Sequence, residues 1–361
     1  MKIYRIGIHD KVLKFEEKCD NPIIFQRKDE LLKNKCKIDT FDPQKWEVSK
    51  KKNNDYEYIY TSSKRNQNIC NIIPVSRSYF KLHEMILDFH LLKNNIYCAC
   101  LAEGPGGFMH CLNDHIRTNK INIHKIFGIT LIEKKDRKIP YWNQMILNNR
   151  NNLILSGKDK TGDLYKYENV MDFVENIGMN HCHLVTADGG FDYSYDYNSQ
   201  EQSSYKLLYS EIFTTLHIQK INGNFILKVF DLFHFKTIQL LYLLYNHYSI
   251  IEIYKPSTSR LSNSEKYIIC TDFLGCSNTT KQILTDYFDK CEKLHIDVPN
   301  TFIYEINRYN DQYINKQMST IDTILSYKGE ENKPTQSQIA MAKKWCELYR
   351  VPINEKCIYL N

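Results

Sequence analysis

Hydrophobic positions along this chain change their pattern near Pro74 and again near residue 280, dividing it into three stretches. Before Pro74 the sequence is polar and lysine-rich, with a charge run at Lys50–Lys52 and weak strand-like patches such as Tyr56–Tyr60. No period stands out there, so residues 1–73 read as an N-terminal extension. Ser76 is then placed to cap a helix in which Leu82, Met85, Ile86, Phe89 and Leu92 recur at amphipathic spacing. From Ile96 onward strands and helices alternate. Ile96–Leu101 reads as a strand that runs into a Gly/Pro-rich turn and a helix from about Gly107, with further strands at Lys125–Ile132 and Asn152–Leu155. Asn169–Ile177 reads as a helix, His183–Ala187 as a strand and Ser203–Gln219 as a long helix. Asn224–Phe230 is a strand and Phe233–Asn246 a helix, followed by strands at Ser249–Tyr254 and Lys266–Thr271 around a polar loop.

This alternation predicts an α/β fold built of parallel βαβ units in a doubly wound sheet over residues 74–280. The loop between the last two strands is too short for a helical crossover, so they are expected as a terminal antiparallel pair. Residues 281–361, with helical patterns at Thr279–Leu294 and Gln338–Tyr349, read as a mainly helical C-terminal extension.

Composition adds little. A chain of 361 residues with 42% hydrophobic content can bury a full core, and no apolar run reaches transmembrane length, so a soluble, intracellular protein without a membrane partner is expected. The twelve cysteines follow no repeated spacing, and no Cys-x-x-Cys pair or Cys/His cluster suggests a zinc site; reduced, mostly buried thiols and no metal are expected. A net charge of +6 is compatible with a nucleic-acid partner without establishing one.

Two groups of residues carry candidate chemistry. The first is Ala102, Glu103, Gly104, Pro105, Gly106, Gly107 and Phe108, between a strand and a helix. Glycines there let the backbone approach a ligand at the carboxyl end of a strand, where open α/β sheets bind ligands. The spacing is neither the dinucleotide fingerprint nor a Walker A loop; a nucleoside-bearing cofactor and a plain tight turn both remain open. The second is dispersed: Lys81 on the early helix, Asp188 at a strand end, Lys228 within a strand and Glu265 before the last strand. Lys228 either points to solvent from a half-exposed strand or is buried with Asp188 and Glu265 as counter-charges. In the second case a desolvated lysine beside another cation is expected to have a lowered pKa, suited to general-base work on a poor nucleophile such as a ribose 2′-hydroxyl.

Taken together, Ser76–Leu82, the Gly-Pro-Gly-Gly-Phe turn, Asp188-Gly-Gly, Lys228 and Glu265 resemble the Lys-Asp-Lys-Glu tetrad and cofactor loop of the FtsJ-like ribose 2′-O-methyltransferases. Thr161–Asp163, Thr186–Phe191, Lys228–Phe233 and Lys255–Tyr267 are similar to the cap-specific branch of eukaryotes and large DNA viruses. The resemblance covers residues 74 to 275 and implies a Rossmann-like fold of the S-adenosylmethionine-dependent methyltransferases, with capped mRNA 5′ ends as substrate and other capping or transcription proteins as possible partners. It implies that Lys228 is the base, aligned by Lys81 and Asp188, with Glu265 completing the tetrad. S-adenosylmethionine would lie on Ala102–Phe108, with Asp163 at its adenine. Ser76, Asn198, Ser199, Gln200 and Asn263 fall where that branch touches RNA; Lys64 and Arg65 are weaker candidates for phosphate contacts, with a solvated basic patch as the alternative. The chain departs from the family in having Cys100 where an acid is usual and Glu103 where a small residue is usual; either Glu103 takes over the acidic role or the cofactor contacts are rearranged. Rival readings are a catalytically idle cap- or RNA-binding subunit, an enzyme acting on ribosomal or transfer RNA or on the second cap-proximal nucleotide, and a dinucleotide oxidoreductase. The last fails on its glycine spacing.

Overall fold

The computed structural model describes residues 2–7, 10–16, 25, 27–119, 121–133, 139–190, 199–290, 294–329 and 333–360. Eight strands form one mixed sheet: β1 (Ile3–Arg5), β2 (Ile96–Leu101), β3 (Ile123–Ile129), β4 (Asn152–Ile154), β5 (Cys182–Ala187), β6 (Gln219–Val229), β7 (Tyr248–Tyr254) and β8 (Lys266–Phe273). The helices are α1 (Lys28–Asp39), α2 (Pro43–Lys52), α3 (Ser78–Asp88), α4 (Gly107–Asn119), α5 (Gln144–Leu147), α6 (Tyr167–Ile177), α7 (Gln200–Ile218), α8 (Phe235–His247), α9 (Asn278–Phe288), α10 (Asn300–Ser326) and α11 (Gln336–Leu348).

The strand order is β1-β7-β8-β6-β5-β2-β3-β4. Strands β2 to β6 pair in parallel, and the chain turns back between neighbours β2 and β5, which opens a cleft at their carboxyl ends. Both faces are covered, as a doubly wound sheet requires. Alternate strand residues go to opposite cores: Cys98, Cys100, Leu184 and Ile226 pack with α3, α4 and α11, whereas Ala99, Leu101, Val185, Phe225 and Leu227 pack with α6 to α10.

The last two strands are antiparallel as expected but do not lie where a terminal pair would. Strand β8 inserts between β6 and β7, which sets Tyr267 opposite Lys228, and β1 closes the edge by pairing with β7. The segment before Pro74, where the sequence shows no period, is therefore structured over its described residues. Asp42 caps α2 by accepting the Lys45 N–H at 2.7 Å, with Pro43 at the first helical position. Helix α1 buries Leu31, Asn34 and Lys35, a stripe at helical spacing whose members are mostly polar. Ser76 does not cap α3: Arg77 holds that position and no side chain caps the helix, which ends before Phe89 and Leu92. Helix α10, absent from the sequence reading, buries Phe302, Ile303, Ile306, Tyr309 and Ile314 along one side.

Eight of the ten described cysteines are buried, and no two of the ten are joined by a disulfide. Among the described residues no helix is long and apolar enough to cross a membrane.

Candidate active site

The four dispersed residues meet at the carboxyl edge of the sheet as two ion pairs. Lys81, on the first turns of α3, places Nζ 2.7 Å from Glu265 Oε1 and 2.8 Å from Oε2. Lys228, near the end of β6, donates to the Asp188 carbonyl at 2.8 Å and lies 3.5 Å from Asp188 Oδ1. Its side chain is 12% exposed, so the solvent-pointing alternative does not hold. Gly190 leaves room for it: a Cβ there would come within 2.9 Å of Lys228 Nζ.

The charge state of Lys228 differs from the expectation of a lowered pKa. Burial does lower it, but Asp188, Glu265 and Glu211 outweigh that effect and leave it raised. Glu265 goes the other way: burial pushes its carboxyl up, and Lys81, Lys228 and Lys255 together hold it well below the usual carboxylate range. Both shifts favour the charged forms of Lys228 and Glu265. Glu211, on α7, is buried with Oε1 unpartnered, and burial pushes it well above the usual range, Lys228 opposing the shift and Asp188 adding to it.

The glycine-rich turn lies next to these pairs. The Gly104 N–H donates to Thr130 Oγ1 at 3.0 Å, and Asn143 N–H donates to the Pro105 carbonyl, which ties the turn to the ends of β3 and α5. Gly107 is required by close approach: a Cβ would lie 2.2 Å from Ser76 Oγ and 2.1 Å from Ser78 Oγ, two hydroxyls that bond one another at 2.6 Å. Ser76 therefore faces the turn. Ala102 has φ +53°, and Phe108 is buried with its ring 6.2 Å from that of Tyr267. Glu103 is turned inward: Oε1 accepts the Phe108 N–H at 3.0 Å at the start of α4, while Oε2 is buried without a partner. Burial and then Asp188 push its carboxyl well above the usual range. Asp163, half-buried after β4, accepts the Tyr165 N–H at 2.9 Å.

The residues singled out for RNA are not gathered as tightly. Asn263 is exposed on the loop between β7 and β8, and its carbonyl accepts Lys255 Nζ at 2.8 Å and the Tyr313 hydroxyl at 2.6 Å. Ser199 and Gln200 begin α7, half-buried. Asn198 lies outside the described residues. Lys64 and Arg65 are exposed, and Arg65 bonds Asn71 at 2.8 Å.

Several residues that position the tetrad carried no distinct sequence signal. The Tyr267 hydroxyl donates to Asp188 Oδ1 at 2.8 Å. Ser259 donates to Glu265 Oε1 at 2.8 Å, and Lys255 also bonds the Glu265 carbonyl. Glu84, one turn beyond Lys81, is fully buried and accepts from the backbone of Ser257 and Thr258, both at 2.8 Å. These side chains stood inside the quoted motifs or, as with Glu84, alone among ordinary helix residues. Tertiary structure also forms a Cys/His cluster that linear spacing conceals: His83, Cys111 and His115 bring their ligand-capable atoms within 4.8 Å of one another in the core. Hydrogen bonds account for its two rings, His83 to His115 at 3.1 Å and His83 to the Tyr349 carbonyl at 2.9 Å.

Known proteins resemble the chain over this same region. It is 33% identical over 267 residues to cap-specific mRNA (nucleoside-2′-O-)-methyltransferase 1 of Dictyostelium discoideum, covering 68% of this chain and 34% of that protein. The cap-specific mRNA (nucleoside-2′-O-)-methyltransferase of Autographa californica nuclear polyhedrosis virus is 31% identical over 63% of this chain and 84% of its own length. Cap-specific mRNA (nucleoside-2′-O-)-methyltransferase 1 of Mus musculus is 26% identical over 89% of this chain and 41% of its own. The chain thus spans about a third of the Dictyostelium relative and under half of the mouse one. Residues 74–273 match the FtsJ-like methyltransferase model, more than half of the chain, and with the tetrad's residue types gathered at the sheet's carboxyl edge the chain belongs to the FtsJ-like methyltransferase family.

Proposed function

We propose that the chain methylates the ribose 2′-hydroxyl of the first transcribed nucleotide of capped mRNA, using S-adenosylmethionine, with residues 74–280 as the methyltransferase domain and 1–73 and 281–361 as flanking segments. The observation that carries this reading is the pairing of Lys228 with Asp188 and of Lys81 with Glu265 in one partly buried site beside the glycine-rich turn. The cap as substrate class rests on the names of the relatives.

The turn suits the methyl donor on two counts. Glu103 Oε2 is a buried oxygen without a partner, and Asp163 offers a half-buried carboxylate at the same sheet edge, both fitted to accept from hydroxyl or amino groups. Residues Ala102–Phe108 and Asp163 would hold the donor. When bound, S-adenosylmethionine would supply an electrophilic methyl group, and its sulfonium charge would oppose the carboxylates' effect on the Lys228 pKa. Lys228, having released its own proton to solvent, would then take the 2′-hydroxyl proton on Nζ as the oxygen–carbon bond forms and the donor's sulfur–methyl bond breaks, the thioether leaving with the bonding pair. Asp188 fixes the direction of that amine, Tyr267 fixes Asp188, and the Lys81–Glu265 pair holds the opposite wall.

Methyl transfer to capped, uncapped and structured RNAs tests the reading, with the label located by a nuclease that spares 2′-methylated linkages. Transfer should require the cap and map to the first nucleotide. Lys228→Ala should reduce turnover by at least about a hundredfold while leaving donor affinity nearly intact, because a general base acts in the transition state. Equal activity on uncapped RNA, or an active Lys228→Ala variant, contradicts it.

A further inference from the structure

Beside the tetrad lies a second cluster of charge that does not cancel. Glu57, completely buried in the segment before α3, is shared by two arginines. Arg260, on the loop between β7 and β8, binds it through Nε at 3.0 Å and Nη2 at 2.7 Å. Arg77, at the start of α3, reaches it through Nη1 at 3.2 Å and also bonds the Tyr60 carbonyl. Two guanidinium groups and one carboxylate leave one positive charge, whereas each tetrad pair is neutral.

The free donors and their position suggest what that charge is for. Arg77 Nε and Nη2 and Arg260 Nη1 have no acceptor among the described residues, and the two side chains remain 29% and 23% exposed. A cluster that served only to hold the fold would be expected to use up its donors or bury them. Arg77 precedes Lys81 by four residues, one helical turn or about 6 Å along α3, and both arginines feel the charge of Glu265. Guanidinium forks match phosphate oxygens in geometry and stay charged.

We propose that Arg77 and Arg260, held in place by Glu57, form the seat for one phosphodiester of the RNA next to the ribose that is methylated. The inference rests on the RNA-methylating reading above and adds a named anion subsite to it. Glu57 has two effects in this arrangement: it orients the two forks and removes half of their charge, so the seat holds a phosphate without trapping the product.

The test varies the substrate first, with the wild-type chain. A series of capped oligoribonucleotides each carries one neutral methylphosphonate linkage, moved along the first nucleotides. One position should raise KM by about tenfold, the loss of one charge-assisted contact, with the other positions near unity. Glu57→Gln supplies an opposite-signed check: freeing both cations should tighten RNA binding and steepen its salt dependence, by up to about 0.7 in logarithmic slope for a single strand, whereas a purely structural ion pair would weaken binding or leave it unchanged. Arg260→Gln should raise KM for unmodified RNA and abolish the penalty at the sensitive linkage. A flat methylphosphonate series from an enzyme that turns over overturns the seat alone; a wild-type chain that transfers no methyl group to any RNA overturns the underlying reading and the seat with it.

Discussion

Replacing Glu84 by Ala should disable the site without touching any tetrad residue. Its carboxylate is fully buried and accepts from Ser257 N–H and Thr258 N–H at 2.8 Å, Thr258 Oγ1 at 2.7 Å and the Tyr254 hydroxyl at 3.2 Å, with Lys2 Nζ at 3.1 Å. Each hydrogen bond to a charged group is worth about 1.5–3 kcal/mol, so a plain sum would approach the whole stability of an ordinary domain. The sum overstates the loss: Lys2 keeps Asp88 at 2.7 Å, and the freed turn can move toward water. Breaking a buried charge cluster by removing one partner costs roughly 3–5 kcal/mol, which lowers Tm by roughly 4–7 °C in a chain of this size. Function should fall further than stability. The released turn continues into Ser259, whose hydroxyl bonds Glu265, so the Lys81–Glu265 wall loosens with it. Melting followed by circular dichroism, with kcat measured well below the variant's Tm, reads both effects. We expect turnover to drop at least about tenfold, or about 1.4 kcal/mol in the barrier, with donor affinity preserved. A Tm within about 2 °C of wild type, or kcat within twofold at full folding, refutes the reasoning.

Three further outcomes can be checked on the same material. Tyr267→Phe removes the donor to Asp188 Oδ1 and should lower kcat several-fold with little change in KM for the donor; an unchanged kcat excludes Tyr267 as a positioning residue. Gly190→Ala brings a Cβ within 2.9 Å of Lys228 Nζ, and because the flexible end of a lysine can give way, the variant should fold normally and transfer methyl groups slowly; steady-state kinetics beside a melting curve separate the two. Glu201 accepts the N–H groups of Phe233 and His234, and its carboxyl is pushed up to about 7, chiefly by burial. Between the ordinary carboxyl value and about 7 the folded state binds more protons than the unfolded one, so this residue's share of stability declines as pH rises through that window. Urea midpoints at pH 5 and pH 8 should differ less in Glu201→Gln than in wild type.

The sequence was readable where local chemistry decides structure. Strands β2 and β5 and the Phe225–Val229 half of β6 are buried on both faces over most of their length, so their runs stand out, and Asp188 and Lys228 are visible as charges at or near the ends of such runs. Helix α1 was not readable because its buried stripe contains Asn34 and Lys35, whose side-chain nitrogens bond Asp322 and Asp231 nearly two hundred or more residues away. Strand β1 has three residues and exists through its pairing with β7, so no pattern in it could stand out. The direction of the Lys228 shift differs from expectation for a related reason. The expected counter-charges Asp188 and Glu265 are joined by Glu211, a helix residue with nothing in its neighbourhood to mark it, and together they outweigh burial. Tyr267 was seen as the end of a motif, and its partner is set by the insertion of β8 beside β6.

The pairing of β1 with β7 also bears on when the sheet is completed during synthesis. Ile3 pairs with Tyr254, and the Lys255 N–H donates to the Lys2 carbonyl at 2.9 Å, so the strand meets its partner about 250 residues after it is made. At 5–20 residues per second the ribosome takes roughly 12 to 50 s to cover that distance. Through that interval the leading strand has no place in the sheet, and the loop that carries Glu265 has not yet been made. Tyr254 and Glu265 are made within about a dozen residues of one another. A nascent chain stalled before residue 254 therefore holds all five parallel strands with an open edge and three of the four tetrad residues, with Glu265 still missing.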